Sequence, residues 1–236
     1  MKNKKLIIMR AFSTFLIITM LVTVFLVANN VNAEYTLNYG NKNVIYNGNR
    51  DSNKVSLMVN VYWGTEFIPK MLEIFDNYNV KTTFFIGGTW AEKEKDTLLE
   101  IYNKGHEIGS HGYFHLDQDK LTYEQNREEI YNTHSLIKVY LGLDMNLFAP
   151  PSGAFNLSTI EAAEDLGYST IMWSRDTIDW RDQNSSLIYS RATNKLKGGD
   201  LILMHPTKST VEALPAILEY IKLNNLEATT VSNTIS

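Results

Sequence analysis

The chain has 236 residues, 44% hydrophobic and 20% charged, with 26 acidic side chains against 22 basic ones and a formal net charge of −4. That balance fits a folded globular protein of one large or two small domains and carries no basic footprint for nucleic acid. There is no cysteine, which excludes a disulfide framework, thiolate metal sites and cysteine nucleophiles, so any metal must be held by His, Asp or Glu.

Residues 1–33 differ from the rest. Lys2, Lys4, Lys5 and Arg10 form a basic start, Ala11 to Ala28 is almost wholly apolar, and Val31-Asn32-Ala33 ends in small residues at the −3 and −1 positions. This pattern predicts a secretory signal peptide, with an uncleaved membrane anchor as the alternative. Either way the chain from Glu34 onward is expected outside the cytoplasmic membrane, secreted or in the cell envelope. It carries 18 basic residues against 26 acidic ones. Residues 34–53 are polar, rich in Asn and Tyr, and read as a short stalk or an added edge segment. The domain proper is expected over 54–236.

From there strands and helices alternate. Val55–Val61 reads as a strand, and Phe67–Tyr78 as a helix with an apolar face of Ile68, Met71, Leu72 and Phe75. Strands are expected at Thr82–Ile86, Glu107–Gly109, Asn146–Ala149, Tyr168–Trp173, Leu201–Met204 and Ala228–Val231. Helices are expected at Trp90–Lys104, Tyr123–Leu141, Leu157–Leu166, Ser185–Leu196 and Val211–Leu223, three of them followed by Gly105, Gly142 and Gly167 as stops. The alternation implies a parallel sheet with helices packed outside. A distorted (β/α) barrel of seven or eight parallel strands fits the count. A doubly wound open sheet is the rival, lowered by the absence of a Gly-x-Gly-x-x-Gly run after the first strand.

In such a barrel, chemistry collects where the strands end. The strand ends here carry Asn60 to Gly64, Ser110 to His115, Ala149 to Gly153, Arg175 to Trp180, and His205. Three of the five histidines, His111, His115 and His205, therefore share one rim with Asp176 and Asp179. The pair His111 and His115 suits a divalent metal such as zinc, cobalt or nickel, although a catalytic zinc usually has three protein ligands. His205 is a candidate general acid with Asp176 orienting its ring. Trp63, Trp180, Tyr62, Tyr113 and Phe114 offer either a sugar-stacking groove or ordinary rim packing. His106 falls on the opposite rim and reads as structural. His134, in mid-helix, reads as a surface residue.

The stretch from Val55 to about Val231 resembles the polysaccharide deacetylases of carbohydrate esterase family 4, the NodB-homology domain. The pieces that carry the resemblance are Val80 to Gly87, Gly105 to His111, Asp176-Thr177-Ile178-Asp179-Trp180, and Leu201 to His205. Trp63-Gly64-x-Glu66 resembles the branch associated with endospore formation. The resemblance implies a barrel fold and the removal of acetyl groups from N-acetylglucosamine-type sugars in peptidoglycan or chitin, with a divalent metal, usually zinc, held by Asp-His-His. Carried onto this chain, His111 and His115 match the two metal histidines, His205 the general acid, and Asp176 its partner. Leu203 and Trp180 match the pocket for the acetyl methyl, and the backbone N–H of Ser152 the oxyanion donor.

Two motifs depart from that pattern. Where the family reads Thr-Phe-Asp-Asp-Gly, this chain has Met58-Val59-Asn60-Val61-Tyr62, so the base becomes Asn60 and the metal carboxylate becomes Val61. Where the family reads Arg-x-Pro-Tyr, the chain has Ala149-Pro150-Pro151-Ser152. An amide cannot take a proton from water at neutral pH, and losing such a base costs on the order of 10² to 10⁴ in rate. Loss of the Asp and its Arg together avoids an unpaired buried charge. Glu66, just past the first strand, is the nearest substitute carboxylate in sequence. Its alternative is a helix N-terminal acid favoured by the dipole.

The expectation is an exported, monomeric deacetylase-family protein acting on N-acetylated cell-wall polysaccharide. Its metal-dependent amide hydrolysis is reduced or lost, its divalent metal is at low occupancy or absent, and it meets the membrane only through an uncut leader. A catalytically silent protein that binds glycan or other cell-wall components is the alternative. A different hydrolase using His205 and Asp176 is the third reading.

Overall fold

The computed structural model describes Thr14, residues 18–20 and residues 44–236. The chain divides into two units, Met1–Asn41 and Lys42–Ser236. In the first, Thr14 and residues 18–20 are helical and exposed. The rest of the expected leader, and the extension up to position 43, lie outside the described residues. Among the described residues no helix is long and apolar enough to cross a membrane.

The second unit is built on parallel strands. In chain order these are β1 Val44–Ile45, β2 Lys54–Val61, β3 Thr83–Ile86, β4 Glu107–Ser110, β5 Leu147–Phe148, β6 Ser169–Ile171, β7 Arg175–Asp176, β8 Leu201–Met204 and β9 Glu227–Thr229. Helices run between and after them: α1 Ile68–Asn77, α2 Gly88–Lys93, α3 Lys95–Asn103, α4 Tyr123–Leu141, α5 Leu157–Asp165, α6 Ser185–Thr193, α7 Lys208–Leu223 and α8 Val231–Ile235. The strand order is β1-β6-β5-β4-β3-β2-β8-β7, with β9 also on β2. Ser56 pairs with Leu201 on one side and Thr229 on the other, so β9 lies on the β3 side of β2, at its foot.

The result is a curled sheet, a nearly closed (β/α) barrel. An antiparallel bridge between Asn47 and Asp200 ties the chain after β1 to the start of β8. Nine strands are found among the described residues rather than seven or eight. The additions, β1 and β7, are two residues long and too short to show a period of their own. Part of the segment expected as an extension thus supplies an edge strand. The single helix expected over 90–104 is two, α2 and α3, separated at Glu94. The last expected strand ends at Thr229 and gives way to α8.

Strand β2 shows how the pleat sorts side chains. Val55, Leu57, Val59 and Val61 join the large apolar layer beneath the helices, where the α1 face of Ile68, Met71, Leu72 and Phe75 also packs. The alternate residues turn inward, and Met58 meets Phe85, Leu147, Ala149, Ile171 and Leu201 in a smaller inner cluster. Gly109 leaves room for that cluster, because a Cβ there would stand 2.6 Å from the Phe85 ring. Asn60, on the inward face, is carried to the C-terminal end of the same strand.

At the foot of the barrel Asp200, 2% exposed, gathers two arginines. Its Oδ1 accepts from Arg50 Nη1 at 2.5 Å and its Oδ2 from Arg175 Nε at 2.7 Å. Ser174 Oγ and the Lys197 N–H donate to the same carboxylate. Burial pushes this carboxyl up, but the hydrogen bonds from Arg50 and Arg175 outweigh it and hold the carboxyl below its usual range.

His106 is buried between Phe75 and Phe84, with ring centroids at 5.4 and 5.1 Å, and its Nδ1 accepts the Thr82 N–H at 3.2 Å. Burial pushes its pKa down to about 4. An unfolded histidine protonates near 6.5, so the unfolded chain takes up this proton first as pH falls. Stability should therefore drop between about pH 6.5 and 4 by on the order of 3 kcal/mol from this ring, then level off below that window. Urea midpoints measured across the range for the natural chain and for His106→Leu would check it: the variant should lose this ring's share of the acid slope and keep the share of the buried His111 and His115. His134 is not a plain surface residue. Its Nδ1 lies 2.7 Å from the Tyr168 hydroxyl and its Nε2 3.4 Å from Asp144.

Candidate active site

The C-terminal ends of β2, β4, β7 and β8 surround a cavity of about 390 Å³. It is lined by Asn60, Tyr62, Trp63, His111, His115, Ser152, Trp173, Asp176, Trp180, Leu203 and His205. Asn60, Trp63, His111, His115, Ser152, Asp176, Trp180, Leu203 and His205 therefore meet in one place, while Asp179, Tyr113 and Phe114 stand outside the lining.

Each wall has a local cause. Asn60 is 3% exposed, and its Oδ1 has no hydrogen-bond partner within the protein. His111 follows β4 directly and is buried, with Nδ1 at 2.7 Å from the Ala149 carbonyl oxygen. A carbonyl only accepts, so Nδ1 carries the proton and Nε2 is left for the cavity. Burial, helped by the neighbouring His115, pushes the pKa of His111 down to about 3. His115 stands on a left-handed backbone (φ 59°), its ring 5.0 Å from that of His111 and stacked at 4.5 Å on Tyr62. Burial lowers its pKa as well.

The loop joining the two histidines is anchored from outside the cavity. One oxygen of the buried Glu129, on α4, accepts the N–H groups of both Tyr113 and Phe114 at 2.9 Å. Burial raises the Glu129 pKa against the pull of those two N–H bonds. Glu129 went unnoticed in the sequence, because an acid in mid-helix carries no signal that it faces inward.

His205 is oriented by Asp179, not by Asp176. Asp179 Oδ1 lies 2.8 Å from His205 Nδ1, and Oδ2 accepts the His205 N–H and the Thr210 hydroxyl, each at 2.6 Å. Asp176 ends β7 and instead uses Oδ1 to accept the Ile178 N–H at 2.8 Å while lining the cavity. The chain turns at Ile178 (φ 53°), which sends the second aspartate back beneath His205. The Trp63 ring lies parallel to that of His205 at 5.9 Å. Gly64 makes this approach possible, since a Cβ there would fall 2.1 Å from the Pro206 carbonyl oxygen. Trp173, at the end of the strand after α5, is a wall residue that the rim rule could have found.

The donor set does not fit a three-ligand zinc centre. His111 and His115 offer two imidazoles, but Asn60 is an amide and Val61 is fully buried in the outer apolar layer. Among the described residues no group of three His, Cys, Asp or Glu stands ready to hold a metal ion. Glu66 does not repair this, being exposed on the short turn Thr65–Phe67 and absent from the cavity lining. Ala149 lends its carbonyl to His111 where the family pattern has an arginine.

Residues 47–171 match the family model described as polysaccharide deacetylase. The chain is 40% identical over 178 residues to YlxY, an uncharacterized protein of Bacillus subtilis, covering 75% of this chain and 56% of that one. It is 31% identical over 162 residues to a peptidoglycan-N-acetylglucosamine deacetylase of Bacillus cereus, covering 66% and 59%. The match thus spans less than three fifths of either relative. In structure the chain is similar to a CE4 family pseudoenzyme of Bacillus anthracis, with a TM-score of 0.80 and 33% identity, covering 82% of this chain and 69% of that one. A mutant of that pseudoenzyme with restored enzymatic activity is as similar, with a TM-score of 0.80 and 31% identity over 82% and 71% of the two chains.

Proposed function

The chain belongs to the polysaccharide deacetylase family, and from that premise we propose that it binds the amino-sugar glycan of the bacterial cell wall, peptidoglycan or a chitin-like polymer, without hydrolysing it at the family's rate. In this reading residues 1–33 act as the export leader, and the domain works as a monomer outside the cytoplasmic membrane.

The observation that carries the reading is the pair Asn60 and Val61. They stand where the family pattern has a proton acceptor and a metal ligand, and neither side chain can serve. The binding half of the site is kept. Trp63 and Trp180 leave 43% and 56% of their surface open beside the cavity, as stacking faces for sugar rings. His205, held by Asp179, keeps a fixed ring nitrogen for hydrogen bonding. The name of the Bacillus cereus relative supports a cell-wall glycan as the partner.

Acetate release from chitin oligomers and from peptidoglycan tests the silent half of the proposal, and co-sedimentation with insoluble peptidoglycan tests the binding half. The natural chain and His111→Ala are expected to release acetate at the same background rate, while the natural chain sediments with the wall. Acetate release that His111→Ala abolishes would overturn the reading in favour of a working hydrolase.

A further inference from the structure

Resting on that reading and going further, we infer that the cavity selects an amino sugar whose nitrogen has already lost its acetyl group, held as an ammonium. The cavity is rich in hydrogen-bond acceptors. Asn60 Oδ1 is buried and unpartnered, and a buried acceptor in that state calls for a donor from a ligand. Asp176 spends one oxygen on the Ile178 N–H and keeps the other. His111 commits Nδ1 to the Ala149 carbonyl, so Nε2 of that ring is an acceptor too.

No lysine or arginine is among the described residues that line the cavity. Arg181, next to Trp180, is forked onto Asp182 at 2.8 and 2.9 Å. The open walls are aromatic, and indole faces attract cations, as the Trp180 ring does with the Arg181 guanidinium 6.0 Å from its centroid. An ammonium brings three donors and no acceptor, which answers this set of atoms. An acetamido group brings one donor and one strong acceptor, and would leave most of these acceptors unanswered. The site would then recognise the product of N-deacetylation, so the reaction that must supply its ligand is amide hydrolysis of the same polymer by another protein.

Calorimetry at physiological ionic strength, with a glucosamine tetramer and an N-acetylglucosamine tetramer as probes, tests the inference. The glucosamine tetramer is expected to bind at least about tenfold more tightly, because its contacts are charge-assisted. Asp176→Asn should remove that preference. Glu212→Gln, an exposed acid on α7, should keep it and so exclude general attraction of a polycation to an acidic protein. Circular dichroism of both variants checks that they fold. Equal affinities, a preference for the acetylated tetramer, or a preference that both variants reduce alike would overturn the inference and leave the glycan-binding reading standing. Binding of neither tetramer would overturn both.

Discussion

The triple variant Asn60→Asp, Val61→Asp and Ala149→Arg is expected to release acetate from N-acetylglucosamine oligomers at least about 100-fold faster than the natural chain, the gain a restored general base alone brings. Asn60 already faces the cavity from the inward side of β2, so an aspartate there needs no change of backbone. Ala149 lies on the adjoining inner cluster, and an arginine from that position gives the new carboxylate a partner. The two belong together. Either charge alone would be buried without compensation, and single variants should lower the melting temperature. Val61→Asp is the costly step, because Val61 now packs in the outer apolar layer. Its carboxylate must turn from that layer toward the cavity to serve as a third ligand beside His111 and His115. The triple variant should therefore be stabilised by added zinc, and the natural chain much less. Zinc uptake without acetate release would show that a further group obstructs the reaction, and Tyr62, stacked on His115 where the family has glycine, would be the first candidate.

Asp200→Ala is expected to be among the most damaging single changes to stability, costing about 3 to 5 kcal/mol in urea unfolding. The carboxylate joins Arg50, from the segment between β1 and β2, to Arg175 at the start of β7. Arg175 in turn reaches the carbonyls of Asn194 and Lys195 at 2.6 Å. Removing the acid leaves Arg175, half buried, without its counter-charge and unties the edge strand from the foot of the barrel. The sign of the pH effect follows from the lowered carboxyl: the stabilisation is present above the ordinary aspartate range and is lost as pH falls through the folded value. Asp200→Asn should fall between the two. A loss below about 1 kcal/mol for Asp200→Ala would show that the pair behaves as an exposed one.

Much of this architecture was readable from residues alone, and the failures have physical reasons. The helices and longer strands announced themselves through period. The face of Ile68, Met71, Leu72 and Phe75 packs as its spacing predicts, and the helix Tyr123–Leu141 keeps its expected ends. Gly142, at φ 68°, is a stop that a side chain would strain. Elements of two residues, such as β1 and β7, lack any period, so pairing with neighbours alone defines them. The rim rule gathered Asn60, His111, His115, Asp176 and His205 because strand ends are visible in sequence. It could not tell which of Asp176 and Asp179 serves His205. That choice depends on the left-handed turn at Ile178, and a β-branched residue gives no warning of such a backbone. Glu129 shows the same limit at a distance, since its inward orientation is a property of how α4 sits on the loop after β4.

Three residues that bear the rim, His115, Ser152 and Ile178, hold left-handed backbones without being glycine, at φ 59°, 56° and 53°. Such conformations cost on the order of 1 to 3 kcal/mol each and persist only where their surroundings dictate them. The Glu129 bonds to Tyr113 and Phe114, next to His115, and the Asp176 bond to Ile178 supply that constraint at two of the three positions. A cavity cast in advance does not have to reorganise when a ligand arrives. Its kinetics should then be those of simple capture, with a uniform rate of arrival, and changes to its aromatic walls should be felt in how long the occupant stays.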